Sequence, residues 1–131
     1  MEFIILVGLF ILIYLFYLIL DDSIEKPNTS FDSAIQQILK ESGFELLPYQ
    51  IVESNTKTYT VNKSKIHLLS QHYNYDTLLF VVLHEMAHIL CPDVGHTDLF
   101  YDIETKLHRK AVELGYIDID HIQQDYPCNQ L

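Results

Sequence analysis

Apolar and polar positions divide the chain into two parts with different patterns. Residues 3–20 form an uncharged run of mainly Ile, Leu, Val, Phe and Tyr, interrupted only by Gly8. A helix of this length rises about 27 Å, close to the thickness of the hydrocarbon core of a bilayer. The pattern therefore predicts a transmembrane helix within an anchor segment of residues 1–22, followed by one small domain at residues 23–131.

The flanks of the apolar run favour an anchor that is retained. Glu2 stands where a signal peptide carries a basic residue, and residues 20–23 have no small-residue cleavage pattern. Lys26 follows the run and no Lys or Arg precedes it, so the positive-inside rule places the following domain on the cytoplasmic side. We therefore expect a single-pass membrane protein that contacts the membrane through residues 3–20.

A polar linker at residues 21–28 separates the apolar run from the domain. Apolar residues then recur at helical spacing up to Gly43, which suits the end of a helix. Three residues that commonly start helices precede this stretch: Thr29, Ser30 and Asp32. The sequence thus predicts one helix at the start of the domain.

Alternation of apolar and polar residues predicts three short strands in the next stretch. They are expected at residues 49–53, 58–61 and 65–69. The polar breaks between them, at residues 54–55 and 62–64, resemble hairpin turns. We therefore expect a short, mostly antiparallel sheet.

Two further helices follow the predicted strands. One is expected to begin at Asn74 or Asp76 and to end near Leu90, because Pro92 follows. The other is expected to cover residues 97–115. The predicted domain is therefore α+β, in the order helix, short sheet, helix and C-terminal helix.

Charge and cysteine content narrow the possible functions. The chain has 8 Lys and Arg against 18 Asp and Glu, a formal net charge of −10. This balance argues against nucleic acid as a partner, because phosphate binding requires clustered basic residues. Two cysteines, Cys91 and Cys128, are too few for a disulfide framework, and we expect both to be free thiols in a reducing compartment.

The stretch His84-Glu85-Met86-Ala87-His88 is the strongest indication of chemistry. Two histidines four residues apart project from the same face of a helix and can share one zinc ion. Glu85 lies about 100° around the helix from His84, where it can act as a base on a water held by the metal. Because a Lewis acid and a carboxylate base together hydrolyse amide bonds, the motif predicts a peptidase site with Glu85 as its catalytic residue.

A zinc site of this kind requires a third protein ligand. His96 is the preferred candidate, because residues 91–95 cannot continue the helix and Gly95 allows the chain to reverse. Cys91 is expected to be a half-buried thiol instead of a ligand. The sequence predicts one zinc ion per chain. Three alternatives for the third ligand stay open: Asp93, Asp98 and Glu104.

The other histidines are interpreted as surface residues, and the spacing of the tyrosines selects none for a part in catalysis. The histidines concerned are His67, His72, His108 and His121. The tyrosines considered are Tyr101, Tyr116 and Tyr126.

These motifs together resemble the WLM and SprT-like families of minimal zinc metallopeptidases. In those families the two-histidine motif is followed by a later histidine shortly before a phenylalanine, and then by a helix ending in a Leu-Gly step. The matching positions here are residues 84–88, residues 95–100 and the step Leu114-Gly115. The resemblance covers about half of the chain, residues 49–116.

The resemblance implies a zincin-like fold in which His84, His88 and His96 bind zinc and Glu85 is the general base. It also implies protein or peptide substrates and, for some relatives, proteolysis of proteins crosslinked to DNA. This chain departs from the pattern in its predicted anchor, its acidic domain, its lack of a basic DNA-binding extension and a longer step from His88 to His96 than is usual in WLM domains.

The sequence therefore predicts a membrane-anchored zinc metallopeptidase that hydrolyses peptide bonds in proteins. The alternative is a non-catalytic, membrane-anchored protein that binds zinc structurally or as an interaction module. Such a site would be closed by a fourth protein ligand, either Asp93 or Cys91. A third interpretation, an anchored interaction protein with a coincidental motif, predicts no bound metal.

Overall fold

The computed structural model describes the backbone of residues 2–24 and 27–124, and the side chains of residues 4–16 and 31–124. The chain forms two compact units, Met1–Ser30 and Phe31–Leu131. Each unit is described by itself.

Helix α1 spans Glu2–Ile24, and the side chains of residues 4–16 are exposed. None of the helices in the described part of the chain combines the length and the apolar character needed to cross a membrane. The predicted transmembrane helix in residues 1–22 is therefore wrong, and so is the predicted single-pass membrane location.

The predicted polar linker is helical over much of its length. Helix α1 continues to Ile24, and helix α2 spans Pro27–Ser42. Proline is tolerated in the first turn of a helix, where a backbone N–H has no partner within the helix. Gly43 ends α2 with φ +80°, as predicted, and the backbone N–H of Phe44 donates to the carbonyl of Leu39 at 2.9 Å.

Three strands form one sheet in the order β1-β3-β2: β1 is Gln50–Glu53, β2 is Tyr59–Val61 and β3 is Lys65–Leu68. Strands β2 and β3 form the predicted antiparallel hairpin. Its turn residues Asn62 and Lys63 have φ values of 54° and 51°, the left-handed conformation that tight hairpin turns require.

Strand β1 does not form a hairpin with β2; it pairs in parallel with β3. The expectation of a mostly antiparallel sheet is therefore wrong for one of the two strand pairs. The chain crosses from β1 to the far edge of the sheet before it returns through the centre as β3. Fully buried Thr58 stabilises this crossing, because its Oγ1 accepts a hydrogen bond from the N–H of Leu69 at 3.0 Å.

Helix α3 spans Tyr75–Leu90 and helix α4 spans Asp98–Glu113. Both begin at predicted capping residues. The side chain of Asn74 accepts from the N–H of Thr77 at 2.8 Å, and that of Thr97 accepts from the N–H of Phe100 at 3.3 Å. A short 3₁₀ turn at Ile119–His121, which the sequence did not predict, follows α4.

One hydrophobic core lies between the sheet and the three helices of the second unit, with α3 at its centre. Helix α3 contacts β2, β3 and α4, so its apolar residues are enclosed from several sides. Burying a large apolar side chain contributes about 1.5–3 kcal/mol, and this enclosure holds α3 firmly in place. The largest fully buried side chains of the core include Phe31, Ile35, Ile66, Leu79, Leu83, Met86, Phe100 and Leu107.

Candidate metal centre

Three histidines meet at one point beside α3. One ring nitrogen from each of His84, His88 and His96 lies within 4.8 Å of the others. The Nε2 atoms of His88 and His96 are 3.1 Å apart. Two nitrogens bound to one tetrahedral zinc at about 2.0–2.1 Å would be separated by about 3.3 Å. The spacing and the imidazole donors therefore fit a single zinc-like ion.

Local backbone conformation brings the third histidine back to the helix. Helix α3 ends at Cys91, whose extended backbone has φ −81° and ψ 127°. Gly95 then adopts φ +83°, a conformation that residues with a Cβ rarely take, and the chain reverses there as predicted. His96 follows directly, just before the start of α4. The turn thus carries His96 to the face of α3 that bears His84 and His88.

The other candidates for the third ligand lie outside this group of three. Within the described residues, the metal-ligand group contains none of Asp93, Asp98 and Glu104. The carboxylate of Asp93 accepts a hydrogen bond from the hydroxyl of Thr97 at 2.9 Å. Cys91 is a buried free thiol and is likewise outside the group.

Glu104, on α4, contacts the outer nitrogen of one histidine of the cluster. Its Oε2 is in hydrogen-bonding contact with Nδ1 of His84, which is itself only 8% exposed. Burial raises the pKa of Glu104, but the hydrogen bond to His84 and the nearby imidazoles outweigh it and leave that pKa below the ordinary value. Glu104 is thus held as an anion beside the ring.

Glu85 is 3% exposed and belongs to the same turn of α3 as His84. Its Oε2 accepts a hydrogen bond from Oγ1 of Thr60, on β2, at 2.5 Å. Burial raises the pKa of Glu85, and the opposing effects of Thr60, His84 and His96 do not cancel this. A carboxylate with a raised pKa accepts a proton more readily, which is a property of general bases.

His88 is held in the neutral form that binds metals. Burial, reinforced by the neighbouring imidazoles of His84 and His96, lowers the pKa of His88 to about 4. Its ring stacks on that of buried Phe100, with centroids 4.3 Å apart and an interplanar angle of 28°. The buried ring of Phe100 therefore packs against one side of the histidine cluster.

A cleft of about 370 Å³ gives access to these groups. It lies between the edge strand β2 and the C-terminal half of α3, and Glu85 and His88 both line it. Lys63, in the β2–β3 turn, bridges the walls: its Nζ donates to the carbonyl of Cys91 and, at 2.9 Å, to that of Asp93. The hairpin and the loop that precedes His96 are thereby joined.

Sequence reasoning missed two contributors. Thr60 lies in a strand whose polar residues suggest only exposure, and nothing local indicates its contact with Glu85. His108 is not the surface residue that was predicted: its ring stacks on Phe80 at 3.8 Å and its Nε2 donates to the Phe80 carbonyl at 2.8 Å. The four-residue spacing from Glu104 to His108 on the predicted helix was the only available signal.

Two of the tyrosines considered from the sequence, Tyr101 and Tyr116, lie in the described part of the chain. The ring of Tyr101 lies 6.0 Å from that of His96, centroid to centroid. The hydroxyl of Tyr116 donates to the side chain of Gln37, on α2. Tyr126 and Cys128 lie outside the described residues.

Comparison with known proteins finds uncharacterized viral proteins that are similar to this chain. The chain is 47% identical over 75 residues to uncharacterized protein 042R of invertebrate iridescent virus 3, and 37% identical over 75 residues to uncharacterized protein 136R of invertebrate iridescent virus 6. It is 33% identical over 72 residues to uncharacterized protein R325 of Acanthamoeba polyphaga mimivirus. The matches cover 53%, 51% and 49% of this chain.

The chain spans less than half the length of each of these relatives: 46%, 42% and 36%. No protein-family model matches the chain. No solved structure matches it either.

Proposed function

We propose that this chain is a zinc-dependent metallopeptidase, similar to the WLM and SprT-like enzymes, that hydrolyses peptide bonds in protein substrates. One observation carries the proposal: three histidines converge within 4.8 Å beside a buried carboxylate that lines an open cleft. His84, His88 and His96 would hold the ion, and three imidazole ligands leave a fourth position open.

The chain's own residues supply the proton transfers. Zinc, when bound, polarises the scissile carbonyl and lowers the pKa of water. Glu85 takes a proton from the attacking water and delivers it to the leaving amine, and its raised pKa suits both steps. Thr60 orients this carboxylate through its hydrogen bond to Oε2.

The position of edge strand β2 favours an extended peptide as the substrate. Strand β2 pairs with β3 on one side, and its other edge borders the cleft. An exposed strand edge offers backbone donors and acceptors to an extended peptide, which can add to the sheet as a further strand. A peptide bound in this way would pass Glu85 and His88.

Metal analysis and a peptidase assay on the same preparations test this function. The full chain, purified and exchanged into metal-free buffer, should retain one zinc per chain, whereas His84→Ala should retain none. Against an unfolded protein substrate such as casein, wild type should be active, while Glu85→Gln should be inactive and still hold zinc. Glu113→Gln, an exposed carboxylate on α4, is the matched control and should resemble wild type in both measurements.

Two results would overturn the proposal. A folded wild-type chain that rejects added zinc would remove the metal site. Full activity in Glu85→Gln would remove the assigned base. Zinc that binds stoichiometrically without any peptidase activity would instead support the non-catalytic alternative.

A further inference from the structure

The structure assigns a positioning role to Glu104: we infer that its carboxylate keeps the proton of His84 on Nδ1, so that Nε2 faces the other two histidines as a ligand. This inference rests on the proposed zinc site. It concerns a residue that the sequence analysis considered only as a possible ligand.

The contact itself defines the role of Glu104. Its Oε2 meets Nδ1 of His84, and a carboxylate can only accept a hydrogen bond there. A neutral His84 must then carry its proton on Nδ1, which leaves the lone pair on Nε2. Within the described residues, Glu104 is not a member of the ligand group, so its carboxylate acts on the ring and not on the ion.

The ring of His84 is held from a second direction by Phe100. The edge of one ring meets the face of the other, with centroids 5.2 Å apart and an interplanar angle of 77°. Phe100 and Glu104 are one turn apart on α4 and therefore lie on the same side of that helix. One helix thus supplies both the apolar wall and the hydrogen-bond acceptor that fix the orientation of His84.

A second contact, one turn away, fixes the alignment of α4 with α3. His108 follows Glu104 by four residues on α4, and Phe80 precedes His84 by four residues on α3. His108 donates to the carbonyl of Phe80 at 2.8 Å and stacks on its ring at 3.8 Å. The two helices are therefore joined at successive turns, so the position of Glu104 does not depend on its own side chain alone.

Carboxylates that accept from the outer nitrogen of a metal-binding histidine orient the ring and increase its basicity, and removing them typically weakens metal binding 10–100-fold. We therefore expect Glu104→Ala to bind zinc about 10–100-fold more weakly than wild type in a competition with a chelator. Glu104→Gln should fall between the two, because its amide oxygen can still accept from Nδ1 but carries no charge. Glu113→Gln should bind zinc as wild type does.

Nitrogen NMR of the histidine side chains in the metal-free full chain gives a readout independent of zinc and of activity. In wild type and Glu104→Gln, His84 should be protonated on Nδ1; in Glu104→Ala the two tautomers should be mixed. A wild-type His84 protonated on Nε2 would overturn the inference. So would zinc binding by a folded Glu104→Ala within twofold of wild type.

Failure of this inference can be told apart from failure of the proposed function. If wild type binds zinc and cleaves protein but Glu104→Ala binds zinc equally well, the peptidase site stands and the role of Glu104 is lost. If wild type binds no zinc, the peptidase proposal fails, and the tautomer of His84 still decides whether Glu104 positions that ring. Far-UV circular dichroism of each variant establishes that it is folded.

Discussion

Two carboxylates, Glu85 and Glu104, flank the histidine cluster. Their surroundings shift their pKa values in opposite directions. Glu85 faces the cleft beside Thr60, and burial raises its pKa. Glu104 lies at the interface of α3 and α4, where its contact with His84 overcomes burial and lowers its pKa. Two residues of the same type are thereby suited to different tasks: one exchanges a proton, and the other remains an anion.

The difference follows from which element each carboxylate meets. The partner of Glu85 is a hydroxyl on the edge strand β2, which stabilises a carboxylate less than a neighbouring imidazole does. The partner of Glu104 is the ring of His84, which gains a positive charge if it is protonated. The cleft side of α3 can therefore take part in proton transfer, whereas the α4 side holds the ring of His84 in position.

The largest expected effect is on peptidase activity, which should fall much further in Glu85→Gln than in Glu104→Gln. At saturating zinc, Glu85→Gln should lower peptidase activity by about 10²–10⁴-fold, because general-base catalysis contributes about that much. Glu104→Gln should recover most of the wild-type rate once zinc is in excess, since it lowers affinity and leaves the base intact. Steady-state kinetics across a zinc titration distinguish the two. Equal losses in both variants at saturating zinc would contradict the division of roles.

Removal of the metal should lower the free energy of unfolding. An ion that binds only the folded chain adds about 2.7 kcal/mol when its free concentration is 100 times its dissociation constant. Chemical denaturation with and without a chelator should show this difference in wild type and in Glu85→Gln. In His96→Ala the chelator should have little effect. If the chelator left the free energy of unfolding of wild type unchanged, this would contradict a metal site built from His84, His88 and His96.

The pH dependence of stability should report His108, which joins the two helices behind the site. Burial lowers its pKa in the folded chain, although the hydrogen bond to the Phe80 carbonyl opposes this. The unfolded chain, with an ordinary pKa of about 6.5, therefore binds more protons as the pH falls. The resulting stability is present above pH 6.5 and is lost as the pH drops towards the folded pKa.

We thus expect the free energy of unfolding of the metal-free chain to decrease between pH 7.5 and pH 6, by at most about 1.4 kcal/mol per pH unit from this group. His108→Gln should reduce that slope without abolishing it, because the pKa of His88 is also lowered in the folded chain. His72→Asn, a change at an exposed histidine, should leave the slope unchanged. Parallel slopes in wild type and His108→Gln would show that His108 is not buried against Phe80.

The smallest effect concerns Thr60, whose hydroxyl donates a hydrogen bond to the carboxylate of Glu85. Thr60→Val removes a hydrogen bond worth about 1 kcal/mol, so we expect roughly a fivefold loss of activity. Because that bond lowers the pKa of Glu85, its removal should also move the acidic limb of the pH–rate profile upwards. Thr60→Ser should restore both properties, and Thr56→Val, at an exposed position, should change neither. An unchanged profile in Thr60→Val would remove Thr60 from the site.

Several features of the fold could be predicted because they depend on neighbouring residues. Helix geometry alone places His84 and His88 on one face, and the capping chemistry of Asn74 and Thr97 marks where two helices begin. Gly95 marks a reversal of the chain because few other residues take a positive φ readily. These positions together make His96 the preferred third histidine on local grounds alone.

Other features depend on residues that are distant in the sequence. The turn signals after β1 indicated that the chain changes direction, but they did not specify that β1 would pair in parallel with β3. The apolar run at residues 3–20 indicated a membrane span, and the described helices do not supply one. The pairing of β1 depends on a distant partner, which a local pattern does not specify.

The amino-acid sequence by itself thus determined where α3 and α4 begin and that His84 and His88 share one helix face, because backbone preferences and side-chain spacing act within a few residues. Only the tertiary structure decided the roles of the two carboxylates. Thr60 meets Glu85 across 25 residues, and Glu104 meets His84 across 20. The direction of each pKa shift depends on burial and on the partner at that distance, and both arise only when β2 and α4 pack against α3.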